Sequence, residues 1–220
     1  MKVVTPLKSV NLPGIDDYAA QHTTPDPAAM TALVSETYET LDLPEMLSGP
    51  VVARLLQTLV HAIRPQLVVD VGTYSGYSAL SMAAALPPGG RIVTCELDAG
   101  RAGVARRHID ASPYADRITL ATGRALQTLS SLEGPFDFVF IDADKVSYYD
   151  YFQAALRKLA PHGLIACDNT LREGEILNPD TDDSGTRAMC AFNDAVVNDP
   201  RVSCVLLPVR DGISLIRPVS

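Results

Sequence analysis

Two apolar runs end in side chains suited to binding a hard cation. Phe140-Ile141-Asp142-Ala143-Asp144-Lys145 closes one, and Ala166-Cys167-Asp168-Asn169 closes the next. If the two runs are neighbouring strands, Asp142, Asp168 and Asn169 converge at one edge of a sheet. Two carboxylates and an amide oxygen suit Mg²⁺, which keeps positions open for water or substrate. Ligand type alone does not separate Mg²⁺ from Mn²⁺ or Ca²⁺. Lys145 stands three residues beyond Asp142. A lysine beside a dication gives up its proton more readily than a free one, and can then take a proton from a substrate hydroxyl. Acids at strand ends often do no more than cap the next helix. Here two acid-rich ends in consecutive units come with an amide and a lysine, a more specific combination.

A second group precedes these. The run Asp70-Val71-Gly72-Thr73-Tyr74-Ser75-Gly76-Tyr77-Ser78 reads as a strand end opening onto a glycine turn. Such a turn lets the backbone bend tightly and approach a ligand, at the sheet edge where open α/β sheets bind nucleotides. A nicotinamide cofactor calls for G-x-G-x-x-G to seat its pyrophosphate. Gly72 and Gly76 lie four apart, and Asp70 would repel phosphate while attracting a sulfonium or ammonium group. The wider loop suits an adenosine ligand without a pyrophosphate. Glu96, at the end of the following strand, is placed to hold both hydroxyls of a ribose.

The elements that must position these groups follow from pattern. Residues 67–71, 91–96, 117–121, 136–141 and 164–168 read as buried strands. Helical stretches at 75–86, 98–111, 125–132 and 148–159 alternate with them. This β-α-β-α repetition implies a parallel sheet covered by helices on both faces. Two further strands, 202–208 and 212–217, are joined by only Val209-Arg210-Asp211. That link is too short for a parallel crossover, so they must pair antiparallel. Ahead of the core, Asp26-Pro27 reads as an N-cap and first turn of a helix ended by Pro44. A second helix spans 49–63. The whole chain, 1–220, reads as one domain: an N-terminal arm (1–25), N-terminal helices (26–64) and an α/β core (65–220).

Composition narrows the partners. A net charge of −8 argues against the basic face that a duplex nucleic acid requires, and against an anionic membrane surface, though it leaves room for a local basic pocket. No apolar run is expected to reach the ~20 residues of a membrane span. Lys8, Asn11, Asp16 and Asp17 interrupt any apolar leader. Cys95, Cys167, Cys190 and Cys204 show no metal-knuckle spacing. Read as small reduced core residues, they fit a cytoplasmic setting. His22, His61, His108 and His162 show no ligand spacing. The helices before Pro65 carry more apolar face than one sheet covers, which predicts a homodimer.

These motifs carry a resemblance. The glycine turn, the run Phe140–Lys145 with Tyr148 after it, Cys167-Asp168-Asn169 and Pro208-Val209-Arg210-Asp211-Gly212 are similar to the motifs of the cation-dependent O-methyltransferases. That family contains catechol and caffeoyl-coenzyme A O-methyltransferases, and the resemblance runs from about residue 26 to 217. It implies a Rossmann-like class I methyltransferase fold, mostly parallel with a C-terminal antiparallel strand. It implies S-adenosyl-L-methionine as methyl donor, bound at Asp70, Gly72, Tyr74, Ser78, Glu96, Ala125 and Asp144. Asp142, Asp168 and Asn169 are then the metal ligands and Lys145 the general base. The implied acceptor is a small phenolic molecule with vicinal hydroxyls. Three rival readings remain on the sequence: a metal-independent methyltransferase, which would not need Asp168-Asn169 beside Asp142; a nicotinamide-dependent oxidoreductase, whose pyrophosphate loop is missing; and a non-catalytic donor-binding or scaffold protein, against which the intact Lys145 and ligand set speak.

Overall fold

The computed structural model describes residues 14–178 and 180–219. The first half of the expected N-terminal arm, residues 1–13, therefore lies outside the described residues. Seven strands form one sheet in the order β3-β2-β1-β4-β5-β7-β6. They are β1 (Leu67–Val71), β2 (Arg91–Glu96), β3 (Ile118–Thr122), β4 (Phe136–Ile141), β5 (Leu159–Cys167), β6 (Val202–Leu207) and β7 (Ile213–Pro218). The first five run parallel, and β7 enters antiparallel between β5 and β6. The three-residue link thus made the hairpin that chain length demanded.

β1 and β4 are buried along their whole length, as a parallel strand covered on both faces must be. Their alternate residues feed two cores. Val68, Phe138 and Phe140 face one side with Leu56 and Val60 of α3 (Gly49–Ile63) and Leu80 of α4 (Tyr77–Ala83). Val69, Val71, Val139 and Ile141 face the other. There they meet Leu129 of α6 (Ala125–Ser131), Phe152 of α7 (Tyr148–Leu156) and Phe192 of α8 (Ser184–Val197). α5 (Ala99–Asp110) is capped by the side chain of Asp98, which accepts from Arg101 N–H at 2.8 Å.

Several boundaries differ from the sequence reading, each for a local reason. A short helix α1 (Ile15–Gln21) forms inside the expected arm. It buries nothing and so leaves no apolar period, but Asp16 and Asp17 complement the positive end of its dipole. α2 (Ala28–Thr40) begins at Pro27 without a side-chain cap. Asp26 is engaged elsewhere, by Arg54 at 2.9 Å and the Tyr77 hydroxyl at 2.7 Å. α4 starts two residues late because Gly76, at φ 93°, completes the turn first. β5 begins five residues early, through Pro161-His162-Gly163, because Leu159 already pairs with Phe136 across a register shift.

One expectation on composition also changes. The run Pro44–Ile63 reaches 20 residues with a mean hydropathy of 1.3, enough by length and apolarity to cross a bilayer. A core helix passes the same test: Val52, Ala53, Leu56 and Val60 of α3 are buried.

Candidate active site

The parallel strands all end on one edge of the sheet, and that edge gathers the acids. On its left half the turn after β1 passes very close to β4. A Cβ on Gly72 would lie 2.1 Å from the Asp142 carbonyl oxygen, and Gly72 takes φ 110°. Only glycine fits there. Glu96 is held by two backbone donors: Tyr74 N–H reaches Oε2 at 2.7 Å and Asp98 N–H reaches Oε1 at 2.9 Å. Each oxygen keeps a further lone pair. Gly123 N–H donates to the Glu96 carbonyl at 2.8 Å, which brings Ala125, the first residue of α6, beside it. Asp144 accepts from the Tyr151 hydroxyl at 2.5 Å.

Asp70 and Ser78 lie beneath this surface rather than on it. Asp70 is fully buried, and its Oδ2 accepts from Ser78 at 3.0 Å and Thr94 at 2.7 Å. Burial pushes its carboxyl up to about 7, against the lowering effect of those two hydroxyls. Its Oδ1 and the Oγ of Ser75 are buried without a hydrogen-bond partner. An orphaned carboxylate oxygen under a glycine turn fits a cationic ligand above it. Tyr74, at φ 50°, donates its hydroxyl to the Asp42 carbonyl at 2.9 Å. The Arg101 guanidinium sits 5.3 Å from its ring centroid.

On the right half, β4 and β5 are indeed neighbours, and their ends bring Asp142, Asp168 and Asn169 together. Lys145 Nζ makes three hydrogen bonds: to Asp142 Oδ1 at 2.9 Å, Asn169 Oδ1 at 2.8 Å and the Tyr148 hydroxyl at 2.8 Å. Asp168 Oδ1 accepts from Asn169 N–H at 2.8 Å. Burial first, and the Asp142 charge second, raise the Asp168 carboxyl well above the usual range. Tyr148 is wholly buried and donates to the Asp168 carbonyl at 2.9 Å. Asn169 takes φ 56°, which aims its amide inward; asparagine tolerates that region better than most residues.

These groups line a cavity of about 320 Å³, whose other walls include Met46, Ser48, Arg172 and Arg210. Among the described residues no three His, Cys, Asp or Glu side chains form a metal-holding group. The candidate set has two acids and depends on the Asn169 amide for its third ligand. The residues still fit a cation: Asp142 and Asn169 already direct their oxygens at one positive charge, the Lys145 ammonium.

Sequence reasoning missed four supports. Thr94 and Thr73, hydrogen-bonded at 2.5 Å, brace Asp70; the signal was a threonine inside an otherwise apolar β2. Arg101 covers Tyr74 and left no motif. Tyr151 orients Asp144 from the following helix. The rim 45–48 is held near the site through Tyr74.

Such a sheet, parallel but for a late antiparallel strand and carrying an acid at the tips of β1 and β2, is the Rossmann-like class I methyltransferase fold. The chain belongs to the O-methyltransferase family, whose model matches residues 20–219. A catechol O-methyltransferase of Niastella koreensis is 34% identical over 182 residues, spanning 79% of this chain and 82% of the relative. Two solved structures overlay it almost entirely. The O-methyltransferase of Bacillus cereus in complex with SAH has a TM-score of 0.86 at 30% identity, covering 94% of this chain and 97% of that one. TomG of Streptomyces achromogenes, an O-methyltransferase in complex with SAM, has a TM-score of 0.85 at 27% identity, covering 94% and 96%.

Proposed function

We propose that the protein transfers a methyl group from S-adenosyl-L-methionine to one hydroxyl of a catechol-like small molecule, with a divalent cation, Mg²⁺ first among candidates. The observation that carries this reading is the convergence of Asp142, Asp168, Asn169 and Lys145 on one cavity. Relatives bearing catechol O-methyltransferase names and SAM- or SAH-bound neighbours support it.

Asp142, Asp168 and Asn169 would hold the cation. Bound there, it would supply charge that lowers the pKa of an acceptor hydroxyl. Lys145, in its unprotonated amine form, takes the hydroxyl proton at Nζ and becomes the ammonium. The acceptor oxygen then forms its bond to the methyl carbon as the carbon–sulfur bond breaks. An anion and a sulfonium become neutral together, so a dry site favours the step, and holding donor and acceptor in contact supplies much of the rate. Glu96 takes the ribose hydroxyls. Gly72 and Tyr74 shape the turn around the donor, Ala125 sits beside the adenine, and Asp144, Asp70 and Ser78 complete its setting. Tyr18, Tyr38, Leu43 and Met46, exposed on the N-terminal elements, support a homodimer as part of this reading. Reduced cysteines support a cytoplasmic setting.

The test is methyl transfer from labelled S-adenosylmethionine to a panel of ortho-diphenols, with and without chelator. Transfer abolished by chelation and restored by Mg²⁺ is the expected result. Transfer that survives chelation would remove the cation from the mechanism.

A further inference from the structure

The cavity that holds Asp142, Lys145 and Asp168 carries two more cations, Arg172 and Arg210, and the reaction above uses neither. Neither guanidinium is fully committed. Arg172 Nε is buried without a hydrogen-bond partner, and its Nη2 makes a long ion pair with exposed Asp183 at 3.6 Å. Arg210 makes no hydrogen bond or ion pair among the described residues; its guanidinium lies over Gly49, where a Cβ would meet Nη1 at 2.4 Å. The acids on the same rim are Glu45, Glu173 and Asp211. Of these, Asp211 already accepts from Glu173 N–H.

The backbone holds the two arginines in place at a cost. Arg172 takes φ 48° and Arg210 φ 50°, left-handed values uncommon for residues other than glycine. Such strain clusters at functional sites. The two turns, one after β5 and one in the β6–β7 hairpin, are tied to each other. Leu171 N–H donates to the Asp211 carbonyl at 2.9 Å and Thr170 N–H to the Gly212 carbonyl at 3.1 Å. The backbone positions of the two arginines are therefore fixed relative to each other, and both side chains line the same cavity.

A guanidinium presents paired donors that match a carboxylate. A cavity of about 320 Å³ stands at the small end of ligand pockets, and it has room for one ring with a short anionic arm. We propose that Arg172 and Arg210 form a carboxylate-binding subsite, making the preferred acceptor a single-ring ortho-diphenol that bears a carboxylate. The acceptor part rests on the catechol reading above.

The experiment compares 3,4-dihydroxybenzoate with its uncharged methyl ester, in the wild type and in the double variant Arg172→Gln/Arg210→Gln. The readout is the acid-to-ester ratio of kcat/KM. Losing hydrogen bonds to a charged partner should lower that ratio roughly tenfold or more, and Arg→Lys at both positions should recover part of it. An unchanged ratio overturns the subsite. Benzoate, which lacks the diol, is titrated in parallel by NMR against metal-free protein, with matched melting curves showing that the variant is folded. If neither diphenol is methylated, the catechol reading fails alone: benzoate binding lost in the double variant still upholds the subsite, and benzoate binding that ignores the substitutions overturns it.

Discussion

The acids at the tips of β1 and β2 and those at the tips of β4 and β5 share one sheet edge, yet their oxygens are committed differently. On the β1–β2 side the fold itself holds them. Glu96 rests on two backbone N–H groups, and Asp70 on Ser78 and Thr94. On the β4–β5 side Asp168 accepts one backbone N–H, but the neighbouring ligands are held by a reactive group. Asp142 and Asn169 meet the Lys145 ammonium, and Lys145 leans on Tyr148. The first half is a pre-built seat whose shape survives the loss of one partner. The second is a network in which each member positions the next. Damage to the seat should therefore show as donor affinity, and damage to the network as rate.

The largest effect that would break this contrast comes from the network. Asp168→Ala removes a buried acid and should cut turnover roughly 10³-fold or more, the several kcal/mol a catalytic metal supplies. S-adenosylhomocysteine affinity, measured by calorimetry, should stay near the wild-type value. A matched loss of donor binding would erase the division between the halves. Next comes Lys145→Ala, expected to lower kcat by roughly 10²- to 10⁴-fold, the span of general-base catalysis. Mg²⁺ affinity should survive, because Asp142 and Asn169 are then released from the ammonium. If the metal is lost together with the base, Lys145 is a structural brace for the ligand set.

The opposite signature tests the seat. Glu96→Ala should raise the donor Kd roughly ten- to a hundredfold, the worth of charge-assisted hydrogen bonds, with kcat at saturating donor largely kept. A collapse of kcat instead would place Glu96 in the reacting network.

The contrast also explains what the sequence disclosed. Asp142, Lys145, Asp168 and Asn169 were legible because strand ends fix position: a parallel strand of period two delivers its last residue to one edge, and the short β6–β7 link forced the antiparallel finish. The supports were not legible, since they act across the sheet. Thr94 reaches Asp70 from 24 residues away, and Arg101 covers Tyr74 from α5. α1 was missed because a helix that buries nothing leaves no period. Asp26 was misread because a capping residue and an ion-pair residue have the same letter, and only Arg54 and Tyr77 decide between them.

The last test is the most specific to the seat, the titration of Asp70. Its ordinary carboxyl value of 3.8 rises to about 7 in the fold because burial disfavours the charge. Between those values the native chain keeps a proton that the unfolded chain has released. Stability should therefore fall as pH rises from about 4 to about 7, and level off above. A shift of about three units sets a ceiling of roughly 4 kcal/mol. Urea midpoints of metal-free protein at pH 5 and pH 8 measure it. Asp70→Asn has no charge to bury and should flatten the dependence. Asp168 is raised by burial too and adds a slope of the same sign, so the comparison between wild type and variant carries the result. Saturating S-adenosylmethionine, a cation, should favour the charged form of Asp70 and shrink the wild-type slope while leaving the Asn variant's slope unchanged. A slope equal in the two proteins would assign the titration to the β4–β5 side and make Asp70 a spectator of the donor.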